Sequence, residues 1–404
     1  MPNYRRYATG ALLSNAGTWM HRVAQSWLIL TLTADPFMLG LVVAAQFAPM
    51  LFLAPWAGVL ADRYDRRRLL MLTQIGMGLQ ALGLAALTLS GNATGPLVVG
   101  FALLLGLFTA IDGPARQSIV SDLVPADQVV NAVALNSANF NAARLVGPAI
   151  AGVMIAAWGP GWVFLANAAT FAIMYVALTR IRIAAAPHSA GRGGLREGLS
   201  YVSRRPDLWF VILTAGAVAM LVFNFPITIP LMVTDEFAAG ARSFGVLTSL
   251  MAVGSLTAAL IQARRARTDL RLVAVAAVAA AGVVVIAGVM PSLVTFAAAL
   301  IASGAASLTM MTAANSYLQT HSDDAHRSRV MALYMAVFFG TTPLGAPLIG
   351  MLAGAFGPRA AMIIPGVASV AITAALVVLY RAARVRRLPA TSHADLPRTP
   401  ARAR

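Results

Sequence analysis

The chain has no cysteine and no lysine. The first absence excludes disulfides, thiol catalysis and cysteine-held metal. The second removes the lysine of a Walker sequence, G-x-x-x-x-G-K-[ST], so nucleotide hydrolysis is not a source of work. The five histidines, His21, His188, His321, His326 and His393, show no H-x-x-x-H spacing, and no metal site is expected. Nor do they cluster with acids as a hydrolytic enzyme would require. Charge is scarce as well: 11% of residues carry it, against about 25% in soluble domains. The alternating segments of about ten residues that mark a membrane β-barrel are also missing.

What is present is apolar. Hydrophobic residues make up 59% of 404 positions, and the mean hydropathy is +0.76. Runs of about 20 apolar residues, the length that crosses a bilayer core, recur from end to end. The fold class is all-α polytopic membrane protein. Twelve spans are expected at 9–33, 37–61, 69–90, 96–118, 130–157, 161–182, 208–233, 243–263, 271–290, 293–318, 328–355 and 360–381. The start, "MPNYRRYATGALL", reads as the beginning of the first span rather than a cleaved leader.

All 30 basic residues are arginine, and the net charge is +16. In a soluble protein this would suggest nucleic acid; here the arginines gather between spans, so no nucleic-acid partner is expected. Arg242 and Arg359 lie in the connections after the odd-numbered spans, and Arg22 and Arg144 lie near the middle of spans. The other 26 fall at or beside the even-numbered connections and the termini. Short basic loops stay in the cytoplasm, which places both termini there.

The longest interior break, 183–206, divides the spans six and six. We therefore expect bundles at 1–182 and 207–384, a linker at 183–206 and a disordered basic tail at 385–404. Within the linker, "LREGLSYVSRRP" reads as a short helix on the inner membrane surface. An internal repeat supports the division. Gly147, Gly152, Gly159 and Pro160 recur as Gly345, Gly350, Gly357 and Pro358, all at one offset, and Ala134, Leu135, Ala138 and Phe140 recur at the same offset. Two repeated halves with a midplane site between them is a transporter layout.

Polar residues inside spans mark the candidate site, because an arginine at a helix centre costs about 2.5–3.5 kcal/mol on insertion scales. Span 1 carries Ser14, Asn15, Thr18, His21, Arg22 and Gln25 on an arc of about 120°. Ser137, Asn141, Arg144 and Pro148 form a stripe on span 5. We expect Asn15, Thr18, Arg22, Gln25, Asn141 and Arg144 to line a watery cavity with Asp112. Asp112 is either the salt-bridge partner of Arg22, Arg144 or Arg116, or a proton-carrying carboxylate. Asp235 and Glu236 read as solvated loop acids.

Between spans 2 and 3, "GVLADRYDRRRLL" puts two aspartates and four arginines into positions 62–68. Positive-inside anchoring accounts for the arginines but not for Asp62, whose partners are expected to be Arg63, Arg66 or the N–H groups of a neighbouring helix start. The stretch resembles the loop signature of the major facilitator superfamily, G-x-L-A-D-R-x-G-R-R/K, on Gly58, Asp62, Arg63, Arg66 and Arg67. Asp65 replaces its second glycine, which bears on the left-handed backbone expected there. With "GTWMHRVAQSWLILTLT", "PARQSIVSDLVP", "NSANFNAARLVGPAIAG" and "RVMALYMAVFFGTTPLGAPLIG", nearly the whole chain to about Arg387 is similar to the branch holding enterobactin exporters and macrolide efflux proteins. Gly147, Pro148 and Gly152 resemble part of the exporter motif of span 5, with Ala143 and Ala151 in place of glycines.

The resemblance implies a twelve-helix fold of two pseudo-symmetric bundles that works by alternating access in a bacterial inner membrane. It implies export of a small organic molecule, a siderophore or drug-like compound, by proton antiport. It further implies a conformational latch between the 62–68 loop and the start of span 11, at Arg327 and Arg329. Partners are then the substrate, protons and lipid, with no cofactor, and the chain acts as a monomer. Uptake by the same fold is the alternative; a non-transporting sensor is disfavoured because the tail is too short for an output domain.

Overall fold

Backbone in hydrocarbon must satisfy its own hydrogen bonds, which leaves only helices and closed barrels. Among the described residues every regular element is a helix. The computed structural model describes residues 2–181, 195–262, 268–323 and 326–385; side chains at 2, 54–63, 195–198 and 384–385 lie outside that description. The helices are α1 (Pro2–Thr33), α2 (Pro36–Arg63), α3 (Arg66–Leu89), α4 (Gly95–Asp122), α5 (Val129–Trp158), α6 (Pro160–Thr179), α7 (Leu195–Ser203), α8 (Pro206–Leu221), α9 (Phe225–Leu231), α10 (Ala241–Gln262), α11 (Leu270–Gly288), α12 (Leu293–His321) and α13 (Arg327–Val385). The expected tail from 386 and most of the linker, 182–194, fall outside the described residues.

Ten helical stretches among the described residues are long and apolar enough to cross a membrane. One of them is two rods, because Gly357 (φ 85°, ψ 166°) interrupts α13. α1, a rod of 32 residues with more polar side chains than the others, completes the twelve. Gly159, at the same place in the first half, has φ 87° and ψ 168°. Both glycines precede a proline at the first position of the next rod, so the repeat read in sequence is a repeat of backbone conformation. A residue with a Cβ rarely adopts positive φ.

In the first half α1 packs on α5 and α6, and α3 on α4 and α6; in the second, α10 packs on α12, and α11 on α12 and α13. The halves meet where α2 crosses α13 and where α5 crosses α10. At the second crossing a methyl on Gly152 would lie 2.8 Å from the Ala241 carbonyl oxygen, and one on Gly245 would overlap the Pro148 carbonyl. This crossing sits toward the arginine-poor end and closes it. Along the arginine-ward part of α5, Val130, Val133 and Leu135 are exposed, while Ala132 is buried and its carbonyl accepts from the Tyr4 hydroxyl of α1.

Four details depart from the sequence reading. Span 7 is discontinuous: α8 stops at Leu221, α9 starts at Phe225, and a π turn, Met232–Glu236, follows. Pro226 and Pro230 each lack an N–H, and Asn224 ties the break by donating to the Met220 carbonyl at 2.7 Å. Asp65 is not left-handed; at φ −57°, ψ 113° it caps α3, its carboxylate accepting from the Arg68 N–H at 3.0 Å. α7 docks on protein: Val202 is buried and the Tyr201 ring stacks on His326 at 4.2 Å. At the arginine-poor end Glu236 is not merely solvated. It accepts from Arg359 at 2.7 Å, and Arg359 also donates to the carbonyls of Gly288 and Met290.

Candidate transport cavity

A cavity of about 230 Å³ lies between the halves. Its first-half wall is Trp19, Arg22, Val23 and Ser26 of α1, Gln46 and Phe47 of α2, and Arg144 of α5. The second-half wall includes Phe223, Phe225 and Pro226 from the broken span, Phe244 and Met251 of α10, Met311 of α12 and Phe338 of α13. Both charged residues of the wall therefore belong to the first half, and the second half contributes aromatic, aliphatic and hydroxyl groups.

The geometry around Trp19 is specific. Arg22 stands 5.4 Å from the Trp19 ring centroid and 5.3 Å from that of Phe47. Arg144 stands 5.6 Å from Trp19. Two guanidiniums from different helices thus share one indole. Neither has a carboxylate partner among the described residues, and the Arg22 Nε has no hydrogen-bond acceptor. A cation–π contact gives about 0.5–2 kcal/mol. That falls short of the several kcal/mol that placing two arginines in a membrane interior costs. The remainder must come from water or an anion in the cavity.

The other residues expected at the cavity turn inward to their own half. Asp112 is 6% exposed, and its two oxygens take three partners. Arg116 Nε donates to one at 2.7 Å, and Thr73 and Gln74 donate to the other at 2.8 and 2.9 Å. Of the three arginines named as candidate partners, Arg116 is the one beside it. Gln25 is buried; it donates to the Val98 carbonyl and accepts from Gln46, which itself reaches the cavity. Thr18 donates to the Ser14 carbonyl and Asn141 to the Ser137 carbonyl, each within its own helix. Asn15 is half-buried and is not on the wall. An arc of about 120° faces more than one neighbour, and the α1 arc divides between the cavity at Arg22 and neighbouring helices at Ser14 and Gln25.

The span 5 motif divides in the same way. A methyl on Gly147 would press on the Ala16 carbonyl and Trp19 of α1, whereas Gly152 meets α10. Pro148 is buried, and its carbonyl faces Gly245. At the arginine-rich rim Arg66 pairs with Asp122 at 2.8 Å. Arg67 donates to the carbonyls of Leu178 and Thr179 at 2.6 and 2.7 Å, and Arg327 donates to the Gln319 carbonyl at 2.8 Å. Arg329 lies on the first turn of α13. The side chains of Gly58, Asp62 and Arg63 lie outside the described residues. Among the described residues no three metal-ligating side chains come together.

Sequence reading missed Trp19 and the whole second-half wall. The signal for Trp19 was its place three residues before a membrane arginine. For Phe223 and Phe225 it was the pair of prolines four apart in an apolar run.

Comparison with known proteins agrees with this architecture. The family model described as transmembrane secretion effector matches residues 3–401. The staphyloferrin A transporter of Staphylococcus aureus is 26% identical over 91% of this chain and 94% of its own length. The enterobactin exporter EntS of Shigella flexneri is 25% identical over 91% and 86%. A bacterial homologue of the human lysosomal transporter Spinster, in an inward-facing unoccupied conformation, shares the fold at TM-score 0.77 and 15% identity, covering 96% and 98% of the two chains. A membrane transporter and not an enzyme, this chain belongs to the transmembrane secretion effector family of the major facilitator superfamily.

Proposed function

We propose that this transporter exports a small organic anion with an aromatic or otherwise apolar body from the cytoplasm, in exchange for protons. One observation carries the reading: two guanidiniums, without carboxylate partners among the described residues, flank Trp19 on one cavity wall, facing a wall of phenylalanines and methionines. The charge fits a carboxylate or catecholate, and the opposite wall fits its apolar part. The gathering of 26 arginines on one side supports cytoplasmic termini in a bacterial inner membrane, and the cavity's unpacked side then faces the cytoplasm. The names of the staphyloferrin and enterobactin relatives favour export of an acidic iron-binding molecule. In this reading the 62–68 loop is a latch whose Asp62 engages the start of α13 at Arg327 and Arg329 in one end state, and so sets the balance between the two. The protein acts as a single chain.

Transport into everted vesicles tests this. A proton gradient should drive accumulation of an aromatic carboxylate, and an uncoupler should abolish it. Arg22→Ala and Arg144→Ala should each raise the half-saturating concentration about ten- to hundred-fold, the range for a lost hydrogen bond to a charged group. Unchanged transport in both variants would remove the anion reading; accumulation only in right-side-out vesicles would reverse the direction.

A further inference from the structure

A second hollow, about 410 Å³, opens between α12 and α13 on the arginine-ward side of the cavity. It shares Met311 and Phe338 with the cavity wall, so the two adjoin. Its lining has no charged side chain. Met311, Thr312, Asn315, Ser316 and Gln319 recur at helical spacing and present one face of α12. Tyr334 closes the far side from α13. That residue is 1% exposed, yet its hydroxyl has no partner among the described residues. Buried hydroxyls are nearly always hydrogen-bonded; Tyr334 belongs to the core and also lines this hollow.

Some of the polar groups around it are already engaged. Thr268 donates to the Ser316 hydroxyl, and Thr320 donates to the Ser316 carbonyl. The Gln319 amide donates to the Asn315 oxygen. That arrangement leaves the Asn315 amide N–H groups, the Gln319 side-chain oxygen and the Tyr334 hydroxyl to meet a guest. The 198-residue repeat underlines the contrast between halves: Arg144 of α5 corresponds to Thr342 of α13.

We propose that Asn315, Gln319 and Tyr334 form a neutral subsite that binds the hydroxyl- or amide-bearing arm of the cargo while its anionic end is held at Arg22 and Arg144. The proposal rests on the anion-cavity reading and narrows the cargo to molecules with an acidic end and an uncharged hydrogen-bonding arm. A subsite built to hydrogen-bond such groups discriminates against an isostere lacking them.

Calorimetric binding to the purified full chain tests it with two probes of matched length. 4-Hydroxyhippurate carries a carboxylate, an amide and a phenol; 4-phenylbutyrate carries the carboxylate and ring alone. The wild type should bind 4-hydroxyhippurate at least ten-fold more tightly. Tyr334→Phe and Asn315→Ala should each shrink that ratio toward one, with 4-phenylbutyrate binding showing that the cavity is folded. Arg22→Ala should weaken both probes together. A wild type without preference, or a ratio that survives in both subsite variants, overturns the subsite and leaves the anion cavity standing. A wild type that binds neither probe overturns the anion cavity and the subsite with it.

Discussion

Arg116 has Asp112 as its carboxylate, and the pair is buried four residues apart on α4. Removing one member of a buried pair leaves the other uncompensated, at a cost of about 3–5 kcal/mol in water-soluble proteins. Double-mutant cycles inside membranes return smaller hydrogen-bond energies, about 0.6 kcal/mol on average. Asp112→Asn should therefore lower the thermal midpoint of the purified protein, and Asp112→Asn with Arg116→Gln should recover at least half of the loss. A double variant worse than the single one would show that the pair is not the unit. The sequence exposed Asp112, Arg22 and Arg144 readily, since a charge inside an apolar run is conspicuous. It did not sort them by direction. All three are charges inside apolar spans, and only tertiary packing sends Arg22 and Arg144 to the cavity and Asp112 into its own half.

At the scale of elements, rods and connections were legible because length and hydropathy decide them. Breaks inside a rod were less so: the interruption before α9 falls in a run apolar but for Asn224, where periodicity carries no face. Helix crossings were readable only as a glycine-rich motif, without the partner. That partner is α10, and it makes a prediction. Gly245→Val would drive a side chain into the Pro148 carbonyl. The variant should stop transport and separate the arginine-poor ends. Spin labels on Asn92→Cys and Pro291→Cys, exposed connections of the two halves, should report a longer distance than in the parent. An unchanged distance would show that the crossing tolerates bulk. The absence of native cysteine makes such labels unambiguous.

For the whole molecule, the repeat was visible at one offset because glycine and proline mark backbone geometry as well as composition. Which end stands open was not visible, since both end states share one sequence. Sidedness is testable with the same cysteines. An impermeant maleimide added to intact cells should label Asn92→Cys and Pro291→Cys, and should reach Ser203→Cys only after permeabilisation. The reverse pattern would invert the topology. The uneven cavity wall has one more consequence. When the bundles tilt past each other, the charged end of the proposed guest rides with the first bundle like a passenger in a carriage, while the second closes on its uncharged part like a door. Changes to the door then alter which guests fit; changes to the carriage alter whether any guest is held at all.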